Sequence, residues 1–138
     1  MYESVILLST YNGEKYIQDQ LDSIFAQNYE DFKIVIRDDG STDDTLNIIN
    51  DYKASYPEKV LIYSGRNIGV KKSFWWLIQN SPRAKFYFYC DQDDVWLSDK
   101  MNNAISLMKQ YQEIPVCYFS NGILVDENKN PLGRNIYR

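Results

Sequence analysis

Short apolar runs alternate along this chain with longer segments in which apolar residues recur every three or four positions. Clusters of Gly, Ser, Asn, Asp or Pro mark most of the switches. Val5-Ile6-Leu7-Leu8 is the first run, and it ends in the turn formers Ser9-Thr10-Tyr11-Asn12-Gly13, which predicts a strand and its loop. From Glu14 to Gln27, Tyr16, Ile17, Leu21, Ile24 and Phe25 follow helical spacing, with Asn12 in position to cap the helix. Phe32-Lys33-Ile34-Val35-Ile36 predicts a second strand that breaks into Arg37-Asp38-Asp39-Gly40-Ser41. Ser41 or Thr42 can cap the next helix, which places Asp43 and Asp44 in its first turn and Leu46, Ile48, Ile49 and Tyr52 in its buried stripe. Lys59 to Tyr63 predicts a third strand. The polar loop Ser64 to Gly69 follows, then a helix through Phe74, Trp75, Leu77 and Ile78, with Trp75 on the core face.

Phe86-Tyr87-Phe88-Tyr89-Cys90 is uninterrupted by any polar residue and reads as a buried fourth strand, followed at once by Asp91-Gln92-Asp93-Asp94. Ser98 can cap a helix with Met101, Ala104, Ile105, Leu107 and Met108 inside, and Val116-Cys117-Tyr118-Phe119 begins a fifth strand. Ile123 to Asp126 with the turn-like Glu127 to Pro131 fits a hairpin or edge ribbon. Strands alternating with helices across short loops define an α/β fold, an open and mostly parallel sheet with flanking helices. Ligands in such sheets bind beyond the carboxyl ends of the strands. The loops after strands one, two and four therefore carry Asn12, Asp38, Asp39 and the acidic cluster to one edge. At 138 residues the chain is sized for one domain, and its last residues show no stop signal, so it reads as continuing beyond Arg138.

Composition narrows the function. A net charge of −4 offers no basic field for a polyphosphate backbone, which excludes nucleic acid as a partner. No apolar run approaches the roughly 18 residues of a membrane helix, and no basic segment precedes a signal-like run, so a soluble, unexported chain is expected. Cys90 and Cys117 lie in apolar runs without CxxC spacing and are expected as buried thiols in a reducing compartment. Histidine is absent, so acid-base or metal chemistry falls to carboxylates.

Asp91, Asp93 and Asp94 are three carboxylates within four residues, which repel one another unless water, donors or a cation neutralise them. The bland reading is an exposed turn. The sharper one is Mg2+ or Mn2+, hard ions that need few protein carboxylates and complete their shells with substrate phosphates. Such an ion bridges Asp93 to a diphosphate that an acidic protein otherwise repels. Asp38 and Asp39 serve either as a turn and helix cap or as acceptors for a base N–H or a ribose hydroxyl. Thr10-Tyr11-Asn12 either starts a helix or closes over a nucleobase. Asn67-Ile68-Gly69 is a polar loop whose glycine permits close backbone approach. Trp96 is the tryptophan placed best for a site, and Arg66 and Lys100 pair with acid or phosphate or are simply solvated.

Ser9-Thr10-Tyr11-Asn12-Gly13-Glu14, Arg37-Asp38-Asp39-Gly40-Ser41-Thr42-Asp43, Asn67-Ile68-Gly69 and Asp91-Gln92-Asp93-Asp94-Val95-Trp96, in this order and spacing, resemble the family-2 inverting glycosyltransferases of the GT-A fold. The last motif is similar to that of bacterial polysaccharide enzymes described as rhamnosyltransferases. The resemblance implies a nucleotide-diphospho-sugar donor of the uridine or thymidine type, held by Thr10, Tyr11, Asn12, Glu14, Asp38, Asp39, Asn67, Gly69, Asp91 and Gln92. Within that set Thr10, Asn12 and Asp39 lie near the base, and Asp38 or Asp91 near base and ribose. It further implies Mg2+ or Mn2+ on Asp93 and transfer with inversion to a glycan or lipid-linked acceptor hydroxyl. The family's catalytic base belongs to a later half, expected beyond Arg138, and nothing marks Asp126 as that base. Residues 1–138 thus resemble the donor-binding part of a longer, cytoplasmic enzyme of cell-surface polysaccharide synthesis, one that extends to peripheral association with the inner face of the membrane. The competing reading is a nucleotide-sugar-binding module or pseudoenzyme without an acceptor half. A receiver-type phospho-acceptor domain also uses acidic strand ends. It needs a lone acid after strand three and a lysine after strand five, and Tyr63-Ser64-Gly65 and Ser120-Asn121 supply neither.

Overall fold

Val5 to Leu8 and Ile34 to Ile36 have no solvent exposure at all, which only a sheet covered on both faces can arrange. In the computed structural model, which describes residues 2–91 and 93–135, these residues form the two central strands of a four-stranded parallel sheet. The elements are β1 (Tyr2–Thr10), α1 (Ile17–Phe25), β2 (Phe32–Asp38), α2 (Thr45–Ser55), β3 (Val60–Ser64), α3 (Val70–Asn80) and β4 (Ala84–Cys90), in strand order β3-β2-β1-β4. They belong to a compact unit spanning residues 1–102, and α4 (Lys100–Met108) leads into a second, spanning 103–138. The open, parallel α/β architecture expected from the sequence is what forms.

On one face Val5, Leu7, Val35 and Leu77 make a core cluster, with Leu61, Phe74, Trp76 and Ala84 packed against it. The alternate residues Ile6, Leu8, Ile34 and Ile36 point to the opposite face and are equally buried, as are Ile17, Leu21, Ile24 and Ile49 on α1 and α2. Those two helices meet through aromatic stacking, Phe25 on Tyr56 with ring centroids 4.2 Å apart and on Tyr52 at 5.8 Å.

Four expectations change. β4 is an edge strand of this sheet rather than a buried one, and Tyr87 and Tyr89 along it face solvent. Trp75 is exposed, at 61%, while its neighbour Trp76 packs on the core. The buried stripe of α3 is carried by Ser73 and Leu77, and Trp75 stands two residues from Ser73, on the far side of the helix. Residues 116–119 form no strand, and Cys117 is exposed. In the second unit β5 (Ile123–Val125) and β6 (Pro131–Asn135) pair antiparallel, the hairpin expected there. Asp126 organises its turn. Its Oδ1 accepts from the backbone N–H groups of Asn128 and Asn130, each at 2.9 Å, and its Oδ2 from the Asn130 amide at 3.2 Å. These bonds, that of the Asn130 N–H foremost, hold its carboxyl below the usual range, which makes it a poor base.

Candidate functional site

The register fixes where the loops emerge. Thr10 lies beside Asp38, Asp38 beside Ser64, and Leu8 beside Cys90, so β1, β2, β3 and β4 all release their chains at the same edge. The chain steps from β1 outward to β2 and β3, then returns through α3 to β4 on the other side of β1. Strand order therefore reverses between β1 and β4, the switch point at which open α/β sheets carry ligand crevices. The loop of Tyr11 and Asn12 and the loop of Asp91 and Asp93 flank that point.

Two of these loops are clasped to each other. The backbone N–H of Asn12 donates to Ser41 Oγ at 2.9 Å, and Asn12 Oδ1 accepts from the N–H of Thr42 at 2.8 Å. One residue further on, Gly13 N–H donates to Thr45 Oγ1 at 2.8 Å; beyond it Glu14 N–H donates to Asp43 at 3.2 Å, and Glu14 returns the bond by accepting from Asp44 N–H at 2.9 Å. Asn12 adopts a φ of 46°, a left-handed conformation that asparagine tolerates. It is therefore not the cap of α1, which begins only at Ile17. Nor do Ser41 and Thr42 cap α2: Asp43 and Asp44 precede that helix, Asp44 holds the N-cap position, and Asp43 accepts from Thr45 N–H at 3.0 Å. Asn12 and Glu14 thus spend side-chain oxygens on the scaffold, while Tyr11 stands 45% exposed.

Asp38 and Asp39 are both buried. Asp38 accepts from Ser41 N–H at 2.9 Å and from Ser41 Oγ at 2.5 Å. Asp39 Oδ1 accepts from Arg37 Nη1 at 2.6 Å and from Ile68 N–H at 2.8 Å, and its Oδ2 from Gly69 N–H at 3.0 Å. Burial alone raises the Asp39 pKa, but Arg37 and the two N–H donors more than offset it and hold the carboxyl below its ordinary value. Arg37 is itself buried. It donates to Ser73 Oγ at 3.1 Å and to the Arg66 carbonyl at 3.2 Å, and lies 5.7 Å from the centroid of the Trp76 ring. Ser73 also accepts from Ser9 Oγ at 2.6 Å. A Cβ on Gly65 would lie 2.8 Å from Arg37 Nη2, so the loop comes this close only because residue 65 is glycine. Gly69 takes a φ of 87° at the start of α3, which a side chain disfavours, and Asn67 between them is exposed. Thr10 Oγ1, at the end of β1, is buried with no partner among the described residues.

Across the switch point, Asp91, Asp93 and Asp94 are all exposed, and Asp93 has a φ of 81°. Gln92 lies outside the described residues. Partial desolvation first, then the charge of Asp91 against the relief of Lys100, and finally Asp93, push the Asp94 carboxyl above its ordinary value. Among the described residues no three carboxylates or thiols converge into a cage for an ion. Trp96 is no site residue: it is buried against Phe88, with centroids 6.0 Å apart, and Lys100 lies over its ring at 5.4 Å. The site residues that the sequence reading missed are buried polar groups behind the loops, Arg37, Ser73, Gln20 and Gln27, and their signal was polarity inside otherwise apolar elements.

The two thiols differ in exposure. Burial first, then the charges of Asp94 and Asp91, push Cys90 far above the ordinary thiol range, whereas Cys117 is exposed. Titration of the native chain with an aromatic disulfide reagent at pH 8 is expected to label one thiol rapidly and the second only after denaturation.

A parallel sheet with clasped polar loops and acidic groups at the carboxyl edge of its switch point defines an α/β domain of the nucleotide-binding class. The chain belongs to glycosyl transferase family 2, whose model matches residues 5–138. It is 38% identical over 124 residues to the dTDP-rhamnosyl transferase RfbG of Shigella flexneri, covering 83% of this chain and 43% of that protein. Its fold superposes on residues 1–349 of S. aureus TarS in complex with UDP-GlcNAc with a TM-score of 0.70 and 26% identity, over 79% of this chain and 32% of that one. The mannosyltransferase PcManGT of Pyrobaculum calidifontis, in complex with GDP-Man and Mn2+, shares the fold alone, with a TM-score of 0.69 and 21% identity over 75% of this chain and 31% of that one. The chain spans less than half the length of each of these proteins. Among the described residues no helix is long and apolar enough to cross a membrane.

Proposed function

We propose that residues 1–138 form the donor-binding part of a metal-dependent, inverting glycosyltransferase. It takes its sugar from a uridine or thymidine diphospho-sugar and passes it to a glycan or lipid-linked hydroxyl in cell-surface polysaccharide synthesis, at the cytoplasmic face of the membrane. The observation that carries this reading is the register, which brings Thr10, Asp38 and the loop after Cys90 to one edge around the switch point in a chain of this family. The names of relatives agree with it: RfbG is a dTDP-rhamnosyl transferase, and TarS binds UDP-GlcNAc.

In this reading the nucleoside lies over the end of β1. Thr10 Oγ1 supplies a hydroxyl that has no partner among the described residues, and Tyr11 supplies an exposed ring for the base. Asp38 and Asp39 retain acceptor capacity beyond the bonds described, since each carboxylate offers about four lone-pair sites. Asn12, Glu14, Asn67 and Gly69 act through the backbone they fix. Asp91, directly after β4, stands near base and ribose in this reading. The donor set suits Mg2+ or Mn2+: an exposed hard carboxylate on Asp93 with no protein cage around it leaves the rest of the shell to phosphate and water. A divalent ion held there supplies Lewis-acid neutralisation of the departing nucleotide diphosphate. No residue of this chain is assigned as the base, because the carboxylate of Asp126 is occupied by its own turn.

A panel of uridine and thymidine diphospho-sugars offered to the full-length protein with Mn2+ tests the reading. Nucleotide release with one sugar in the presence of a glycan acceptor is the expected result. Binding of donor without turnover in full-length protein favours a binding module instead, and no binding to any donor rejects both.

A further inference from the structure

The apolar stripe of α1 explains only one side of that helix. Gln20 and Ser23 on its neighbouring face, and Gln27 just past its C-terminal end, point the same way, where Gln20 has no exposure, Gln27 is 7% exposed and Ser23 is half-buried. Buried primary amides are costly unless hydrogen-bonded. Here all three side chains bond the segment from Cys90 to Met101. Gln20 Nε2 donates to the carbonyl of Asp91 and to Cys90 Sγ, the latter at 3.2 Å. Ser23 Oγ accepts from Trp96 N–H at 3.0 Å. Gln27 bonds with both ends of its amide, donating to the Leu97 carbonyl at 2.7 Å and accepting from Met101 N–H at 3.1 Å. Just past the helix, Asn28 N–H donates to the Ser98 carbonyl at 2.9 Å and Asn28 Nδ2 to Asp99 at 2.8 Å.

These bonds grip the segment on both sides of Asp93 and Asp94, before them at Asp91 and after them at residues 96–101, and leave the acids themselves exposed. Asp93 sits between the grips with a φ of 81°, in the left-handed region that aspartate enters more readily than most residues. The Oε1 of Gln20 is buried without a partner among the described residues, and the contacts of this side chain to the loop run through its donor end. Satisfying the helix needs none of these contacts, since the backbone of α1 is already bonded internally.

We propose that Gln20, Ser23 and Gln27 are positioning residues that hold the acidic loop, and Asp93 with it, in the arrangement that receives a metal-bound diphosphate. The inference rests on the reading of Asp93 given under Proposed function. It adds that the affinity of the loop for metal and diphosphate is set from behind, by the polar side chains of α1 and of the turn that follows it.

Calorimetric titration of the whole chain with dTDP, once with Mn2+ and once with excess EDTA, isolates the metal-dependent gain in affinity. Gln27→Met and Gln20→Met, which keep side-chain length and remove the hydrogen bonds, are expected to cut that gain about tenfold, as changes behind metal ligands do, while affinity in EDTA stays as in the wild type. Ser23→Ala, which removes a single acceptor, is expected to cut it roughly threefold and carries the test if either methionine variant melts below the titration temperature. A full gain in all folded variants overturns the inference. So does an equal loss with and without Mn2+, which marks a general packing defect. Asp93→Ala separates this failure from failure of the reading beneath it: no gain in the wild type, or a gain that survives Asp93→Ala, removes Asp93 as the metal ligand and the positioning role with it.

Discussion

Asp93→Ala is expected to abolish the metal-dependent binding of a nucleotide diphosphate and, in full-length enzyme, to lower kcat by about 100-fold or more, the cost of removing one preorganised electrostatic contact to a developing anion. It is not expected to unfold the chain. Asp93 is exposed and takes a φ of 81°, so no packing is lost. Asp93→Gly sharpens the point, because glycine adopts this conformation freely and relieves a strain of about 1 kcal/mol. That variant is expected to melt at or slightly above the wild-type temperature while losing metal-dependent binding as fully as the alanine variant. Thermal melting beside calorimetry checks both halves. A glycine variant that loses stability would mean that the Asp93 side chain holds the loop, rather than the loop holding Asp93.

Arg37→Met is the change expected to cost most in stability, about 3 kcal/mol, because it leaves Asp39 as a buried carboxylate without its cation. The loss has a direction in pH. In the wild type Asp39 is held below its unfolded value, so its contribution is fully present above about pH 4 and lost as pH falls through the lower folded value. Without Arg37 only the N–H donors of Ile68 and Gly69 oppose burial, so the folded carboxyl rises from its wild-type value and ionised Asp39 stabilises the variant less, which makes the gap between the two proteins widest at neutral pH. Denaturant unfolding at pH 4 and pH 7 reads this gap. Arg37→Met combined with Asp39→Asn is expected to recover part of the loss, since the unpaired charge is gone, whereas two independent defects would add. The same variants bear on the site: Asp39 and Arg37 tie residues 66 to 69 to the sheet, so the loop of Asn67 and Gly69 loosens in the single variant.

The central strands and the edge they share were readable from the chain, because Val5 to Leu8 and Phe32 to Ile36 are apolar on both faces and each breaks sharply into polar loop. What the sequence hid was mostly polar structure inside apolar settings. Ser73 disguises the buried stripe of α3, since its hydroxyl is satisfied by Ser9 and Arg37, and Trp75 beside the true stripe has the apolar character of a core residue. Gln20 and Gln27 look like ordinary helix formers, yet their partners lie some 70 residues away on the acidic loop. Asn12 fits the rules for a helix cap and instead closes a clasp to Ser41 and Thr42, a partnership that spacing along one segment cannot reveal. The run from Phe86 to Cys90 carries no mark of its position at the sheet edge, because tyrosine serves either a core or a solvent face. The acids at positions 38, 39, 91 and 93 stand out in the sequence as strand-end carboxylates, but only the structure separates the buried pair, bonded into the scaffold, from the exposed ones.

The claim at the centre is that this edge binds a nucleotide diphosphate through a divalent ion on Asp93. Titration of the wild-type chain with dTDP and with UDP, in Mn2+ and again in excess chelator, tests it most directly. The account predicts binding of at least one of the two that is about tenfold or more tighter with the ion present. Equal affinity with and without chelator would contradict it.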